Sequence, residues 1–338
     1  MSLAQVRDVA ARAGVSAGTV SNALNHPEKV SPATLERIQE AIDELGFVRN
    51  EAAARLRRGV NRAVGMIVLD VANPFFTEVA AGVEDRLAGE RRPLMLGNSG
   101  QDADRERAHL EAFEEQRVAG LLVTPVKLDL ARLRRLKDRG TAVVLVDRSS
   151  GGREFSSVSV DDRLGGTLAA RHLLDIGRRR LVFIGGPAHL TQVAIRLKAA
   201  RHACESFGSG RVDLYETATM NAEAGRDAVD ALLQRPAPQR PDGIIAANDL
   251  IALGALQALT LAGFRVPDDI AIVGYDDIDF ASSAAIPLTS VRQPARTMGA
   301  TAAGILLEAI RSPDTKARKV VLKPELIERQ SSRGAGNL

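Results

Sequence analysis

Residues 14–25, reading Gly14-Val15-Ser16-Ala17-Gly18-Thr19-Val20-Ser21-Asn22-Ala23-Leu24-Asn25, leave the chain few options. Just upstream, Val6, Val9, Ala10 and Ala13 recur at helical spacing and make one apolar stripe. Gly14 follows directly, and glycine tolerates the left-handed conformation that stops a helix. Ser16 is placed to cap a second helix by accepting from its exposed N–H groups, with Val20, Ala23 and Leu24 as the apolar face. So few residues separate the two helices that they must cross steeply, as in a helix-turn-helix. Ser31-Pro32 opens a third helix, whose stripe is Leu35, Ile38, Ile42 and Leu45 and which Gly46 ends.

Residues 17, 18, 19, 21, 22 and 25 then face away from that small core, and all are short. A helix that lies against base edges in a major groove can use such residues, because its backbone comes close and its polar tips reach the bases. The competing reading is a plain helical bundle with a polar outer face. Residues 50–59 tip the balance: an alanine-rich helical stretch with Leu56 as its one large apolar side chain, too short to be stable alone. Arg49, Arg55, Arg57, Arg58 and Arg62 oppose only Glu51, a local excess of four positive charges. A leucine on a basic, conditionally folded helix suits a wedge between base pairs in a widened minor groove; the alternative is a linker whose leucine packs on the next domain.

The pattern Val6-x-Asp8-Val9-Ala10-x-x-Ala13-Gly14-Val15-Ser16-x-x-Thr19-Val20-Ser21-x-x-Leu24-Asn25, followed by Asn50-x-x-Ala53-x-x-Leu56, resembles the headpiece of the lactose/galactose repressor (LacI/GalR) family of bacterial transcription regulators. The resemblance continues to about residue 330. It implies a homodimer that places two 16–25 helices in successive major grooves of a near-palindromic operator. The DNA-contacting positions it implies are Ser16, Ala17, Gly18, Thr19, Ser21, Asn22 and Asn25, with Asn50, Ala53, Leu56 and Arg57 on the hinge. The main base-reading positions are Ala17, Gly18 and Asn22, which lack the long side chains some members carry there. Ala17 suits a thymine methyl and Asn22 an adenine. Gln5, where Thr or Ser is common, is a second departure.

Of 338 residues, 45% are hydrophobic and 26% charged, as in an ordinary globular protein of two or three domains. Tryptophan is absent and aromatics make up 3%, which argues against stacking on single strands as the main binding mode. Residues 1–60 hold eight Lys/Arg against seven Asp/Glu, so DNA contact depends on how charge is arranged, chiefly the arginines at 49–62. The single Cys204 fits a reducing compartment. No signal segment or membrane-length apolar run is evident, and a cytoplasmic location is expected.

From Ala63 onward, short apolar runs such as Val64–Leu69, Gly120–Val123 and Ala142–Val146 alternate with amphipathic stretches. Runs buried on both faces and separated by helices indicate a parallel sheet covered on both sides. The alternation restarts after Asp161, which implies two lobes with a cleft between their strand ends. The expected class is α/β: an N-terminal three-helix helix-turn-helix headpiece plus hinge helix, then a two-lobed periplasmic-binding-protein-like body of doubly wound parallel sheets. Expected boundaries are 1–48 for the headpiece, 49–61 for the hinge, 62–161 with 291–330 for the first lobe and 162–290 for the second. Residues 331–338 read as a disordered tail.

Positions just after strand ends give the candidate effector residues Asn73, Phe75, Phe76, Asp147, Arg148, Asn248 and Asp276, and the family resemblance adds Arg196. Carboxylates, amides, guanidinium groups and flat apolar rings together suit a polyhydroxylated ligand, and the family resemblance implies a sugar or sugar derivative. The two arginines would also suit a phosphate or carboxylate. Asp249 reads as the N-cap of its helix and is left out, while Asn73-Pro74 and Asp277 are open to a purely local role. There is no phosphate-binding Gly-Lys-Ser/Thr loop and no metal spacing among His26, His109, His172, His189 and His202. Neither an enzyme nor a cofactor is expected. The expected function is allosteric control of operator DNA by a small effector; the alternative is a sugar-binding module without a DNA role, with a cleft enzyme third.

Overall fold

The computed structural model describes residues 4–47, 62–149, 151–152, 154–187 and 190–333. The hinge stretch with Asn50, Ala53, Leu56 and Arg57 lies outside them. The chain forms two compact units, Met1–Val60 and Asn61–Leu338.

The first unit holds α1 (Val6–Ala13), α2 (Ala17–Asn25) and α3 (Pro32–Leu45). Gly14 sits at φ +64°, and Val15 N–H returns to the Ala10 carbonyl at 3.0 Å, closing the turn as expected of glycine. Ser16 Oγ caps α2 by accepting from Thr19 N–H at 3.0 Å, and Ser31 caps α3 ahead of Pro32. The Arg37 guanidinium donates to the Ala13 and Gly14 carbonyls, tying the third helix to the turn between the first two. Val9, Ala13, Val20, Ile38, Ala41 and Phe47 form the core. Leu45 does not belong to it and is 37% exposed. Gly46 turns the chain at φ +56° and brings Phe47 into the place that spacing alone assigned to Leu45.

The second unit runs β1 (Val64–Val68), α4 (Pro74–Ala88), β2 (Leu94–Asn98), α5 (Ala103–Glu115), β3 (Gly120–Val123), α6 (Leu130–Asp138), β4 (Ala142–Val146) and β5 (Ser156–Val160). It continues with α7 (Asp162–Asp175), β6 (Arg180–Ile184), α8 (Thr191–Phe207), β7 (Arg211–Tyr215), α9 (Ala222–Leu233), β8 (Gly243–Ala246), α10 (Asp249–Leu261) and β9 (Ala271–Asp276). Last come α11 (Asp279–Ser283), β10 (Thr289–Arg292), α12 (Ala295–Arg311), β11 (Lys319–Leu322) and β12 (Glu325–Ile327). One sheet is ordered β11-β5-β4-β3-β1-β2 and is parallel throughout; the other is β12-β10-β9-β8-β6-β7, with β12 antiparallel at its edge.

The chain passes between the sheets three times: after β5, after β10 and after β11. Helix α12 packs against α4 and the first sheet, as expected of a return near residue 290. Strand β12 departs from expectation, because residues 325–327 pair with β10 in the second sheet rather than belonging to a first lobe that runs to 330. The tail differs too. Ser331 and Ser332 are buried: Ser331 Oγ donates to the Ile272 carbonyl at 2.8 Å, and Ser332 Oγ meets His172 Nε2 at 2.7 Å. Hydroxyls, not apolar side chains, hold this segment, so composition gives no sign of order there.

Helices α4 and α12 touch backbone to backbone. A Cβ added at Gly299 would lie 2.0 Å from the Val79 carbonyl oxygen, and one at Gly82 would lie 2.1 Å from that of Arg296. Neither neighbour is a flexible side chain that can move aside. Gly299→Ala is expected to destabilise the body by about 1–3 kcal/mol, seen as a lower urea midpoint; an unchanged midpoint would show that the helices part at little cost.

Candidate functional site

The effector candidates converge where the strands of both sheets end. Asn73 caps α4 by accepting from Phe75 N–H at 3.0 Å, and its Nδ2 donates across the cleft to Asp276 Oδ2 at 2.9 Å. Turn chemistry and a cleft role therefore coexist in one residue. Phe75 and Phe76, edge to face with centroids 5.0 Å apart, lie beneath it. From the second lobe, Gln192 on the first turn of α8 donates to the Asp147 carbonyl at 2.8 Å and to Asp147 Oδ2 at 3.0 Å. Gln293, just past β10, donates to Asp276 Oδ1 at 2.7 Å. The Asn73 and Gln192 bonds close the lobes on a cavity of about 30 Å³, room for little more than one water.

Arg196 is buried and already occupied. Its Nε donates to Asp162 Oδ1 at 2.6 Å, Nη1 donates to the Ala247 carbonyl at 2.9 Å, and its guanidinium lies 3.6 Å from the Tyr275 ring centroid. Gly165 and Gly166 on α7 make that packing possible, since a Cβ at either would collide with the Tyr275 hydroxyl or the Arg196 backbone. Burial works against the Arg196 charge, but the surrounding Asp162, Tyr275, Asp276 and Asp147 more than offset it and raise its pKa.

Carboxylates outnumber this single arginine. Asp147, Asp162 and Asp276 are all buried, and among the described residues Asp147 Oδ1 and Gln293 Oε1 have no hydrogen-bond partner. Burial, reinforced by Asp162, pushes the Asp147 carboxyl up to about 7 against the pull of Arg196 and Gln192. Asp276 rises to about 6, again through burial, with Arg196 and the Asn73 and Gln293 bonds opposing. Both residues hold positive φ, +53° and +105°, so the backbone is bent to bring acceptors into the cleft.

Seven of the eight candidates line this cavity: Asn73, Phe75, Phe76, Asp147, Arg196, Asn248 and Asp276. Arg148 does not; its half-buried charge interacts with those of Asp147 and Glu106. The helix cap expected at Asp249 is made by Asn248, whose Oδ1 accepts from Ile251 N–H at 3.0 Å while Nδ2 donates to the Met220 carbonyl. Asp249 is instead fully buried, accepting from Ser290 Oγ and Ile278 N–H. Asp277 pairs with Arg292 and Arg329 and stays local. Gln192, Gln293 and Asp162 are additions that the sequence does not single out. Gln293 and Asp162 obey the strand-end rule, but β10 and β5 do not read as strands.

In the first unit, Ser16, Ala17, Gly18 and Asn22 are exposed or half-exposed on one side of α2, Thr19 and Ser21 lie beside them, and Asn25 ends the helix. Ser16 and Thr19 share a hydroxyl contact at 2.8 Å. Among the described residues, no group of His, Cys, Asp and Glu is arranged to hold a metal, and no helix is long and apolar enough to cross a membrane.

Closing the cleft moves Asp147 and Asp276 from water, where carboxyls titrate near 4, into surroundings that raise them to about 7 and about 6. The closed form therefore binds more protons between about pH 4 and 7, and closure is favoured as pH falls through that window. Small-angle scattering of the effector-free protein should show the body contracting between pH 8 and 5.5, with up to about tenfold in the closed-to-open ratio per pH unit and proton. Asp147→Asn should flatten the response. A radius independent of pH, or an equal response in the variant, would contradict this.

Comparison with known proteins agrees with this geometry. Residues 5–50 match the model "Bacterial regulatory proteins, lacI family", and residues 170–332 match "Periplasmic binding protein-like domain". The chain is 34% identical over 333 residues to the ribose operon repressor of Escherichia coli K12, covering 98% of this chain and 100% of that one. A LacI family regulator from Enterococcus faecalis V583, solved with bound ribose, superposes with a TM-score of 0.72 at 31% identity, over 80% of this chain and 98% of that one. The lac repressor dimer bound to operator and an anti-inducer gives a TM-score of 0.82 at 25% identity, over 98% and 99%. With a headpiece whose α2 presents short polar residues and a body closed over a buried acceptor cluster, the chain belongs to the lacI family of bacterial regulatory proteins.

Proposed function

We propose that the chain is a homodimeric repressor, working in the cytoplasm, whose grip on operator DNA is set by an uncharged sugar in the cleft. The convergence of acceptors around a committed arginine carries the effector half of this reading. Asp147, Asp276 and the Gln293 carbonyl oxygen accept from hydroxyls, while Phe75 and Phe76 cover a C–H face. Arg148 lies outside the lining and Arg196 is bound to Asp162, so the two arginines that would have suited a phosphate are not arrayed for one. A further negative charge beside three buried carboxylates would be repelled. Ribose is the first sugar to try, given the relatives that carry its name or hold it.

The DNA half rests on the exposed face of α2. Ala17, Gly18 and Asn22 would meet base edges, with Ser16, Thr19, Ser21 and Asn25 around them. The hinge residues Asn50, Ala53, Leu56 and Arg57 would complete the contact from the minor-groove side. A sugar that changes the angle between lobes would change the spacing of the two hinges in the dimer, so that cleft and operator share one two-state element.

Fluorescence anisotropy with the duplex upstream of the chain's own gene tests both halves. Binding should weaken steeply with log[salt], and ribose should shift the midpoint by about 5–150-fold. Asp147→Asn, which keeps the side chain's shape, should keep operator binding but lose most of the ribose response. Sugar binding without any salt-dependent duplex binding would make this a sugar-binding module instead.

A further inference from the structure

A larger cavity lies within the first lobe, away from the cleft. It opens between the first turns of α5 and α6 and the loop after β3, and its volume is about 530 Å³, within the range of small-molecule sites. Leu110, Val123, Pro125, Leu128 and Leu133 make apolar walls. Among them stands a carboxyl group: Glu106, on the inward side of α5, is 7% exposed. Its Oε2 accepts from Val126 N–H at 2.5 Å, and among the described residues no arginine or lysine forms an ion pair with it. Burying a carboxyl group on a single hydrogen bond is costly, and burial raises its pKa accordingly. A carboxylate offers about four acceptor positions, and among the described residues one protein donor is bound to this one.

The charges around the mouth narrow what fits. Arg107 pairs with Asp104 at 2.7 Å, and Arg132 pairs with Glu111 at 3.0 Å, so both rim arginines are engaged, while the exposed Lys127 adds a further positive charge to the lining. A cationic guest would face the positive charges of Arg132 and Arg148, which reach Glu106. An anionic guest would face Glu106 itself.

We propose that this cavity is a second binding site, distinct from the cleft, for an uncharged ring-sized molecule that donates one O–H or N–H to Glu106 and lays its apolar face on Leu110 and Leu133. Arg148 connects the two places: it lines neither cavity, yet its charge interacts with both Glu106 and the cleft residue Asp147.

The test uses the full chain labelled at leucine methyl groups and four probes of one size: phenol, toluene, benzoate and benzylammonium. Phenol should move the Leu110 and Leu133 methyl signals saturably in the millimolar range. Toluene, lacking the donor, should bind about fivefold more weakly, the worth of one net hydrogen bond, and the two ions more weakly still. Leu128→Trp, which fills the cavity from its loop, should abolish the shifts. Glu106→Met should bring phenol and toluene to equal affinity. No saturable shift with phenol, toluene binding as tightly as phenol, or preference for either ion would each overturn the proposal. If Glu106→Met does not fold, the wild-type ranking and the Leu128 variant decide the question alone.

Discussion

The contact between Arg196 and Asp162 determines how the rest of the body is arranged around its cleft. Two opposite charges held at 2.6 Å inside the protein are tolerable only if their remaining hydrogen-bonding capacity is met. The Ala247 carbonyl and the face of Tyr275 take up part of it on the arginine side. That one cluster draws together the start of α7, the first turns of α8 and the ends of β8 and β9. The glycines of α7 are explained by it, because side chains at 165 and 166 would hold the helices apart. With Arg196 held in this way, Asp147 and Asp276 remain as carboxylates without a directly paired cation among the described residues, and burial raises their pKa values against the pull of Arg196.

Closure of the lobes is built on the same surplus. The bridging bonds, Asn73 to Asp276 and Gln192 to Asp147, run from neutral amides to carboxyl groups rather than between opposite charges. Amides donate to a carboxylate but do not cancel its charge. Closing is therefore opposed by desolvation and aided by whatever supplies further donors, a proton or the hydroxyls of a bound molecule. A cleft of this kind responds to its contents instead of locking shut.

Much of this is legible in the sequence. Gly14, Ser16 and the apolar spacing around them specify the helix-turn-helix, and most strands announce themselves as uninterrupted Val/Ile/Leu runs. The strands that stay hidden carry polar residues: β5 reads Ser-Ser-Val-Ser-Val, and β10 reads Thr-Ser-Val-Arg. Several of their serines and threonines are buried and bond to neighbouring groups, as Thr289 does to Ser332 and Ser290 to Asp249, which no hydropathy pattern reveals. Hidden β5 and β10 conceal Asp162 and Gln293 in turn, since each stands just past the end of one of these strands. Family resemblance identifies Arg196, but it does not say that the arginine's Nε and Nη1 already donate within the protein. Ser331 and Ser332 look like loose tail for the reason that conceals β5. Leu45 errs the other way: periodicity buries a leucine that the turn at Gly46 replaces with Phe47.

At the centre stands the claim that the cleft holds negative charge beyond what its arginine can balance, and so selects neutral, hydroxyl-rich molecules. Calorimetry comparing ribose with ribose 5-phosphate at pH 8, where Asp147 and Asp276 are ionised, tests this most directly. Ribose is predicted to bind, and the phosphate to bind at least about tenfold more weakly, a difference of roughly 1.4 kcal/mol. Equal or tighter binding of the phosphate would contradict the claim, because Arg196 would then be answering to the ligand and not to Asp162.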